Sequence, residues 1–271
     1  KGDSRFPTAA INQLLNFLDC PPDAIDAVAF YEKPDLKLRR IMRTQVAESP
    51  RGWRQFFNVA KNLDLSQFRL EQHLGTIGLG GKRVLRFAHH ESHAASSYYC
   101  SPFESAAVLT IDGVGEWSTS TISKGKGSDL LPLLEMKFPN SVGLLYATIT
   151  AYCGFKVNSG EYKLMGLAPF GQPIYVNPLL SEVVDVFPDG SIELNLDYFG
   201  FTTSLGMYSG KLQQLLGFPP RKSEALIEKE HCDLAASIQI VLEQIVASMA
   251  LHALTITGES NLCLAGGVAL N

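Results

Sequence analysis

The stretch Ala88–Ser123, AHHESHAASSYYCSPFESAAVLTIDGVGEWSTSTIS, constrains the fold more than any other part of the chain. Its two halves carry different periods. AHHESHAASSYY is rich in alanine and free of glycine, the composition of a helix. Residues four apart share a helix face, so His89 and His93 present their imidazoles together while His90 points elsewhere. After Ser101-Pro102, the run Ser105–Ile111 is apolar and β-branched, Trp117–Ser123 alternates, and Asp112-Gly-Val-Gly-Glu116 lies between them. This spells a strand, a tight turn exposing backbone N–H groups, and a returning strand. Such a turn suits a phosphate.

Asp112 ends a buried-looking strand, and a carboxylate there completes a two-histidine, one-aspartate set with positions open for water or substrate. Iron(II), manganese and zinc all accept that set. The plainer readings are a helix that happens to carry two histidines and an Asp-Gly hairpin signal. Found together, the two features favour the metal.

The 271 residues exceed one average domain, and 46% hydrophobic with 18% charged is ordinary for a globular protein with a good core. Two lobes are expected, residues 1–104 and 105–271. A net charge of −4 leaves no basic footprint, so no nucleic-acid partner is expected. No apolar run reaches the roughly 20 residues of a membrane span and no signal-peptide pattern is present, which predicts a cytoplasmic chain without a membrane partner and leaves a homodimer open. Cys20, Cys100, Cys153, Cys232 and Cys263 lack CxxC spacing and read as reduced core thiols. The chain starts at Lys1 without methionine and stops at Asn271 where a glycine turn should open into a helix, so a fragment incomplete at both ends is expected.

In chain order, Thr8 is expected to cap a helix to about Leu18 with Ile11, Leu14, Leu15 and Leu18 as its apolar stripe, ended by Pro21-Pro22. Asp26–Tyr31 and Arg83–Phe87 read as short strands. Leu36–Leu63 reads as a helix whose Arg39, Arg40, Arg43, Arg51 and Arg54 form either a cationic wall or, on the plainer reading, a solvated face. Lys124–Ser128 reads as a loop, and it lacks the GxxxxGK[ST] of a P-loop. Asn140 or Ser141 caps a helix through Gly143 and Tyr146 to about Cys153, an N-terminus able to hold an anion or simply a helix start.

Asn158–Gly171, NSGEYKLMGLAPFG, reads as a polar loop beside the core that contains Gly160, Glu161 and Lys163. Within 174–220, Ser191–Leu196 is strand-like, and the aromatic loops there could shape an acceptor pocket. Lys229–Thr257 is a long amphipathic helix on which His231 and His252 are surface or packing residues. The final Asn261–Ala265 strand runs into Gly266-Gly267, which lets backbone approach a nucleoside or phosphate.

Phe6–Ile11 (FPTAAI), His89–Ser96 (HHESHAAS), Thr110–Thr119 (TIDGVGEWST), Gly143–Tyr146 (GLLY), the 158–171 segment and Leu264–Asn271 (LAGGVALN) together closely resemble the NodU/CmcH family of carbamoyltransferases, which includes tobramycin and cephamycin carbamoyltransferases and rhizobial nodulation proteins. The likeness spans almost the whole chain, with the motifs in the family's order. It implies an α/β ASKHA fold, the actin-like ATPase architecture of two ribonuclease-H-like lobes about a nucleotide cleft, related also to tRNA threonylcarbamoyl transferases. It also implies carbamoyl transfer. Carbamoyl phosphate and ATP, with Mg²⁺, give carbamoyl-adenylate in a separate C-terminal domain, and the domain seen here passes the carbamoyl group to the hydroxyl of a small acceptor such as a sugar or antibiotic.

Carried over by position, the resemblance makes His89, His93 and Asp112 ligands of a divalent ion, iron(II) first. Gly113, Gly143, Tyr146, Gly160, Glu161 and Lys163 would meet the adenylate, and Gly266, Gly267 and Asn271 the adenosine. His90 or Asp112 would take the acceptor's proton. The family's opening strands, a further metal-binding Asp beyond Asn271 and the adenylate-forming domain are missing, and Ala147 stands where the tRNA-modifying enzymes carry Asp. Activity is therefore expected to depend on parts outside this chain. Two rivals stay open: an ASKHA kinase or ATPase using Mg²⁺, against which a pair of nitrogen ligands argues, and a non-catalytic nucleotide-binding module with a structural metal.

Overall fold

Parallel neighbours cannot be joined by a hairpin, and that rule organises the first third of the molecule. In the computed structural model, which describes residues 6–49, 69–204 and 206–271, β1 (Ala27–Phe30) lies parallel to β2 (Arg83–Arg86), with Phe30 opposite Arg86. The crossover between them includes α2 (Pro34–Ala47) and α3 (Leu70–Gly75). Preceding them, α1 (Thr8–Phe17) starts where expected. Pro7, however, occupies its cap position without a side-chain hydrogen bond, so Thr8 is inside the helix and not its cap. The expected stripe is only half used: Ile11 packs on Leu70, Leu74, Ile77 and Leu79, whereas Leu14 and Leu18 are exposed.

α2 meets the helix expected from Leu36 only as far as Ala47, since Glu48 and Ser49 already turn away from it, and the rest of the expected span, with Arg51 and Arg54, lies outside the described residues. The described arginines do not form a wall. Arg39 and Arg43 are exposed, while Arg40 turns inward over the Phe138 ring, 5.1 Å from its centroid. Burial brings the Arg40 guanidinium down to about 10, against the opposing pull of Glu116.

The second sheet has the order β5-β4-β3-β8, from β3 (Ser105–Ile111), β4 (Ser118–Lys126), β5 (Asp129–Lys137) and β8 (Leu262–Ala265). β3, β4 and β5 form an antiparallel meander, and β8 pairs parallel with β3, Thr110 opposite Ala265. β3 reads as one apolar run because both of its faces are covered. Ala106 and Val108 meet Ala94 and Tyr98 of α4 (His89–Tyr98); Leu109 and Ile111 meet Leu234, Ile238 and Ile245 of the helix on the other side. The histidine helix of the first expected lobe thus packs on the sheet of the second.

Two expected loops are regular. The Lys124–Ser128 loop is instead the end of β4, which turns only at Gly127 (φ 57°) into β5. The lysine is tied down there, with Lys124 Nζ 2.6 Å from the Thr257 carbonyl and 3.0 Å from Glu259. At the outer edge, β5 exposes Leu131, Leu133 and Leu134 and carries Pro132, opposite a register shift in β4. The polar 158–171 loop likewise contains α6 (Glu161–Leu167), because Leu164 and Ala168, four apart, both find the core.

Preceding it, α5 (Val142–Tyr152) is capped by Ser141, whose Oγ accepts from the Leu144 N–H at 3.0 Å. Beyond it come a hairpin, β6 (Val184–Val186) and β7 (Ile192–Leu194), then α7 (Gly210–Leu216) and α8 (Lys229–Thr257). The Ser191–Leu196 strand is β7, and it gives way to a 3-10 turn at Leu196–Tyr198. Contrary to the expectation of no span-length apolar segment, α8 is long and apolar enough to cross a bilayer by length and composition. Its Leu234, Ile238, Val241, Ile245 and Met249 are spent on the core. All five cysteines are free thiols; Cys153 and Cys263 are buried, but Cys100 is exposed and not a core residue.

His231, at the start of α8, is buried edge-on against Phe218, and its Nδ1 accepts the Glu228 N–H at 3.0 Å. Burial and then Arg221 hold the imidazole below its ordinary range. The unfolded chain therefore takes up this proton first as pH falls. The stability due to the neutral ring is full above about 6.5 and is lost as pH drops from there through the lowered folded value. We predict that His231→Asn flattens the fall in melting temperature between pH 7 and pH 5; a slope equal to the parent's would contradict this.

Candidate metal centre

The carboxyl ends of β1, β2, β3 and β8 all feed one place: Tyr31 follows β1, α4 follows β2, Asp112 follows β3 and Gly266 follows β8. Ligand sites of α/β folds form at such strand ends. α4 begins without a capping side chain, since Ala88 occupies the cap. Glu91 Oε2 accepts the Ala88 N–H at 3.2 Å, and both oxygens of Glu116 lie 3.1 Å from the His89 N–H. Ser92 Oγ donates to the Tyr31 carbonyl at 3.0 Å, tying the helix to the end of β1.

His90 fixes the helix on the sheet. Its Nδ1 lies 2.6 Å from Thr110 Oγ1, which in turn meets Thr121 Oγ1 at 2.7 Å. The ring is 4% exposed, and burial lowers its pKa to about 4. This geometry corrects the expectation that His90 serves as a base toward an acceptor: it is sealed between helix and sheet, away from the crevice.

One turn apart, His89 and His93 converge on Asp112. His89 Nε2 is 2.8 Å and His93 Nε2 3.0 Å from Asp112 Oδ2, and the two nitrogens are 3.1 Å apart. Two nitrogens so close cannot bond one another while both address the same oxygen. A metal with bonds of about 2.1 Å holds right-angled ligands about 3 Å apart and tetrahedral ones about 3.4 Å apart. The sides of the triangle therefore match the ligand spacing that one divalent ion would need. Two imidazoles and a carboxylate suit iron(II), manganese or zinc, and the three atoms form a compact potential metal-binding group. Burial pushes the Asp112 carboxyl up, but bonds from His89, His93 and the Gly113 N–H outweigh it and hold the group far below the usual carboxylate range. A carboxylate so stabilised is a poor proton acceptor, which argues against its expected role as base.

Glycines bring the surrounding backbone onto Asp112. A Cβ on Gly143 would lie 2.6 Å from the Asp112 carbonyl and the Gly113 nitrogen, and one on Gly267 2.9 Å from Asp112 Oδ1. Gly266, at φ 96°, brings its Cα against the Ile111 carbonyl, so it packs on the strand and does not line the crevice.

A crevice of about 360 Å³ opens beside Asp112, within the roughly 300–1,000 Å³ of small-molecule sites. Of the expected nucleotide residues, Asp112, Gly113, Gly143, Tyr146, Glu161, Gly267 and Asn271 line it. Gly160 and Lys163 do not. The Gly160 N–H turns to Glu161 Oε2 at 3.1 Å, and Lys163 is exposed on α6. Gln239 of α8 was not foreseen. It accepts from Tyr146 OH at 3.0 Å and donates to Asn271 Oδ1 at 2.7 Å, joining two walls of the crevice. On sequence it is one polar residue of an amphipathic helix, with no signal of this role.

Residues 1–271 match the family described as Carbamoyltransferase N-terminus. The chain is 43% identical over 280 positions to an uncharacterized protein of Synechocystis sp., covering 100% of this chain and 45% of that protein. It is 31% identical over 274 positions to the nodulation protein NolNO of Sinorhizobium fredii (100% and 37%), and 34% identical over 183 positions to NolO of Bradyrhizobium diazoefficiens (68% and 31%). The chain thus spans less than half the length of these relatives. Among solved structures, an Aquifex aeolicus Ppx/GppA phosphatase aligns at 14% identity over 84% of this chain and 79% of that one, with a TM-score of 0.26.

Gly143→Ala puts a methyl group into the backbone of the Asp112 turn, where nothing flexible can give way. Overpacking of this kind costs about 1–3 kcal/mol, so calorimetry should record a loss of roughly 2–12 °C in melting temperature. An unchanged melting temperature would refute the close approach.

Proposed function

Because the chain belongs to the carbamoyltransferase N-terminal family, we propose that it is the transfer domain of an O-carbamoyltransferase, moving a carbamoyl group from carbamoyl-adenylate to a hydroxyl of a small acceptor such as a sugar or antibiotic. The observation that carries this reading is the triangle of His89 Nε2, His93 Nε2 and Asp112 Oδ2 at 2.8–3.1 Å beside a nucleotide-sized crevice that Asp112 also lines. The meander β3–β4–β5 extended by parallel β8 supports a ribonuclease-H-like half of an ASKHA fold. We place the lobes at 1–104 and 105–271. Carbamoyl phosphate and ATP would be consumed, with the help of Mg²⁺, in another part of the intact protein, in the cytoplasm.

His89, His93 and Asp112 would hold a divalent ion, iron(II) by preference. Bound there, the ion supplies a Lewis acid for the oxygens of the mixed anhydride. The chain's own residues do the rest. The Gly113 N–H anchors Asp112 Oδ1 at 2.7 Å and leaves Oδ2 directed at the histidines. Tyr146 and Asn271, cross-braced by Gln239, flank the adenosine, and Gly143 lets the start of α5 close on the turn beside the phosphate. The acceptor oxygen attacks the carbamoyl carbon, the bond from that carbon to the phosphate oxygen breaks, and AMP departs. Since His90 is sealed and Asp112 is held far down, we assign the hydroxyl proton to the departing phosphate, whose second ionisation lies near 6.

The test is AMP release and acceptor carbamoylation by the intact protein given ATP, carbamoyl phosphate and a panel of polyhydroxylated acceptors. His89→Ala and His93→Ala should each lower transfer by about 100-fold or more, the equivalent of the several kcal/mol a Lewis acid contributes, and should lose bound metal. Undiminished turnover in both variants rules out the metal role. ADP in place of AMP would indicate a kinase or ATPase, and binding without product a non-catalytic module.

A further inference from the structure

We infer that Glu116 is a positioning residue that sets how tightly the histidine pair holds its cation. The inference rests on reading His89, His93 and Asp112 as a metal site. Glu116 closes the same turn that Asp112 opens, and it is 6% exposed. Its oxygens accept the His89 N–H at 3.1 Å each, and Oε1 also accepts the Lys33 N–H at 2.8 Å. His89 carries the first helical N–H of α4, and Lys33 occupies the cap position of α2, just ahead of Pro34. One buried carboxylate thus serves the positive ends of two helices from either side of the β1–β2 pair, and these charge-assisted bonds offset its burial.

Ring orientation makes this bond matter for the metal. A ligating histidine is ordinarily aimed by a hydrogen bond from its second ring nitrogen. Here His89 Nδ1 is buried and has no partner among the described residues. What aims the ring is where its backbone sits, and Glu116 holds that backbone nitrogen. The turn is stiff enough to act as a gauge: the Asp112 N–H donates to the Thr119 carbonyl at 2.9 Å, and the Gly115 N–H to the Ser118 carbonyl at 3.0 Å. At Gly115 a Cβ would come within 3.0 Å of His89 Cβ, so helix and turn already touch. A single short turn therefore supplies one ligand through Asp112 and fixes the distance to the other two through Glu116.

The experiment titrates the intact protein with Co²⁺, reading affinity and the d–d absorption bands, for the parent, Glu116→Gln, Glu116→Asp, His89→Ala and Leu212→Ala. Glutamine keeps one acceptor oxygen for two backbone N–H groups and no charge, and it should weaken Co²⁺ by about 10–100-fold, as loss of a ligand-orienting partner does. Aspartate keeps the charge on a shorter arm and should fall between glutamine and parent. Leu212→Ala, a core truncation in α7, should lower the melting temperature and leave Co²⁺ affinity unchanged, which separates positioning from general destabilisation. Parental affinity and bands in Glu116→Gln, with binding lost in His89→Ala, overturn the role of Glu116 while leaving the metal site standing. A parent that binds no Co²⁺ overturns both. Should Glu116→Gln fail to fold, Glu116→Asp decides by the same criterion, parental affinity being the overturning result.

Discussion

Close approach of backbone to the Asp112 turn is the constraint on which the rest of the molecule depends. A hairpin tip is normally a solvated extremity, yet this one is pressed by the start of α5 at Gly143, by the end of β8 at Gly266 and Gly267, and by α4 at Gly115. A side chain at Gly143 or Gly267 would collide with the turn, and one at Gly266 with the Ile111 carbonyl at the end of β3. With them absent, the Asp112 carboxylate sits where three segments distant in sequence meet, and its charge is stabilised by two imidazoles and a backbone N–H. Enclosure by itself pushes this carboxyl up; the bonds from His89, His93 and the Gly113 N–H are what hold it below the usual range.

The two carboxylates of the turn, Asp112 half-buried and Glu116 buried, divide the work by geometry. Asp112 extends its free oxygen toward ring nitrogens, which can be shared with a cation. Glu116 extends toward peptide N–H groups, which cannot leave. His90 is the neutral counterpart of this arrangement: by bonding Thr110 it registers α4 on the sheet, so its neighbours at the two flanking face positions meet the turn and not the core. Burial that suits a brace disqualifies a proton carrier.

What could be read from the sequence follows from how local each signal is. The β3 run, the return of β4 and the i,i+4 histidines are short-range patterns, and they led correctly to α4, the hairpin and the convergence on Asp112. Gly143, Gly266 and Gly267 were noticed as glycines near a ligand, but their reason differs in part: Gly266 yields to the Ile111 carbonyl, a long-range contact that no local window contains. Lys124–Ser128 looked like a loop because lysine and glycine are poor strand formers, whereas the tertiary anchors at Thr257 and Glu259 override that preference. α6 was hidden by Gly160 and Gly166 flanking its few apolar contacts. Gln239 and Glu116 act through partners far along the chain, so composition could not mark them.

The outer edge of the larger sheet carries a different lesson. β5 offers three exposed leucines on an open strand, the profile of a surface prone to cross-β aggregation. Pro132, which has no backbone N–H, lies in that strand where the facing strand slips register. Proline on an edge strand is one of the devices that keep sheets from pairing edge to edge, so Pro132 tempers this greasy rim.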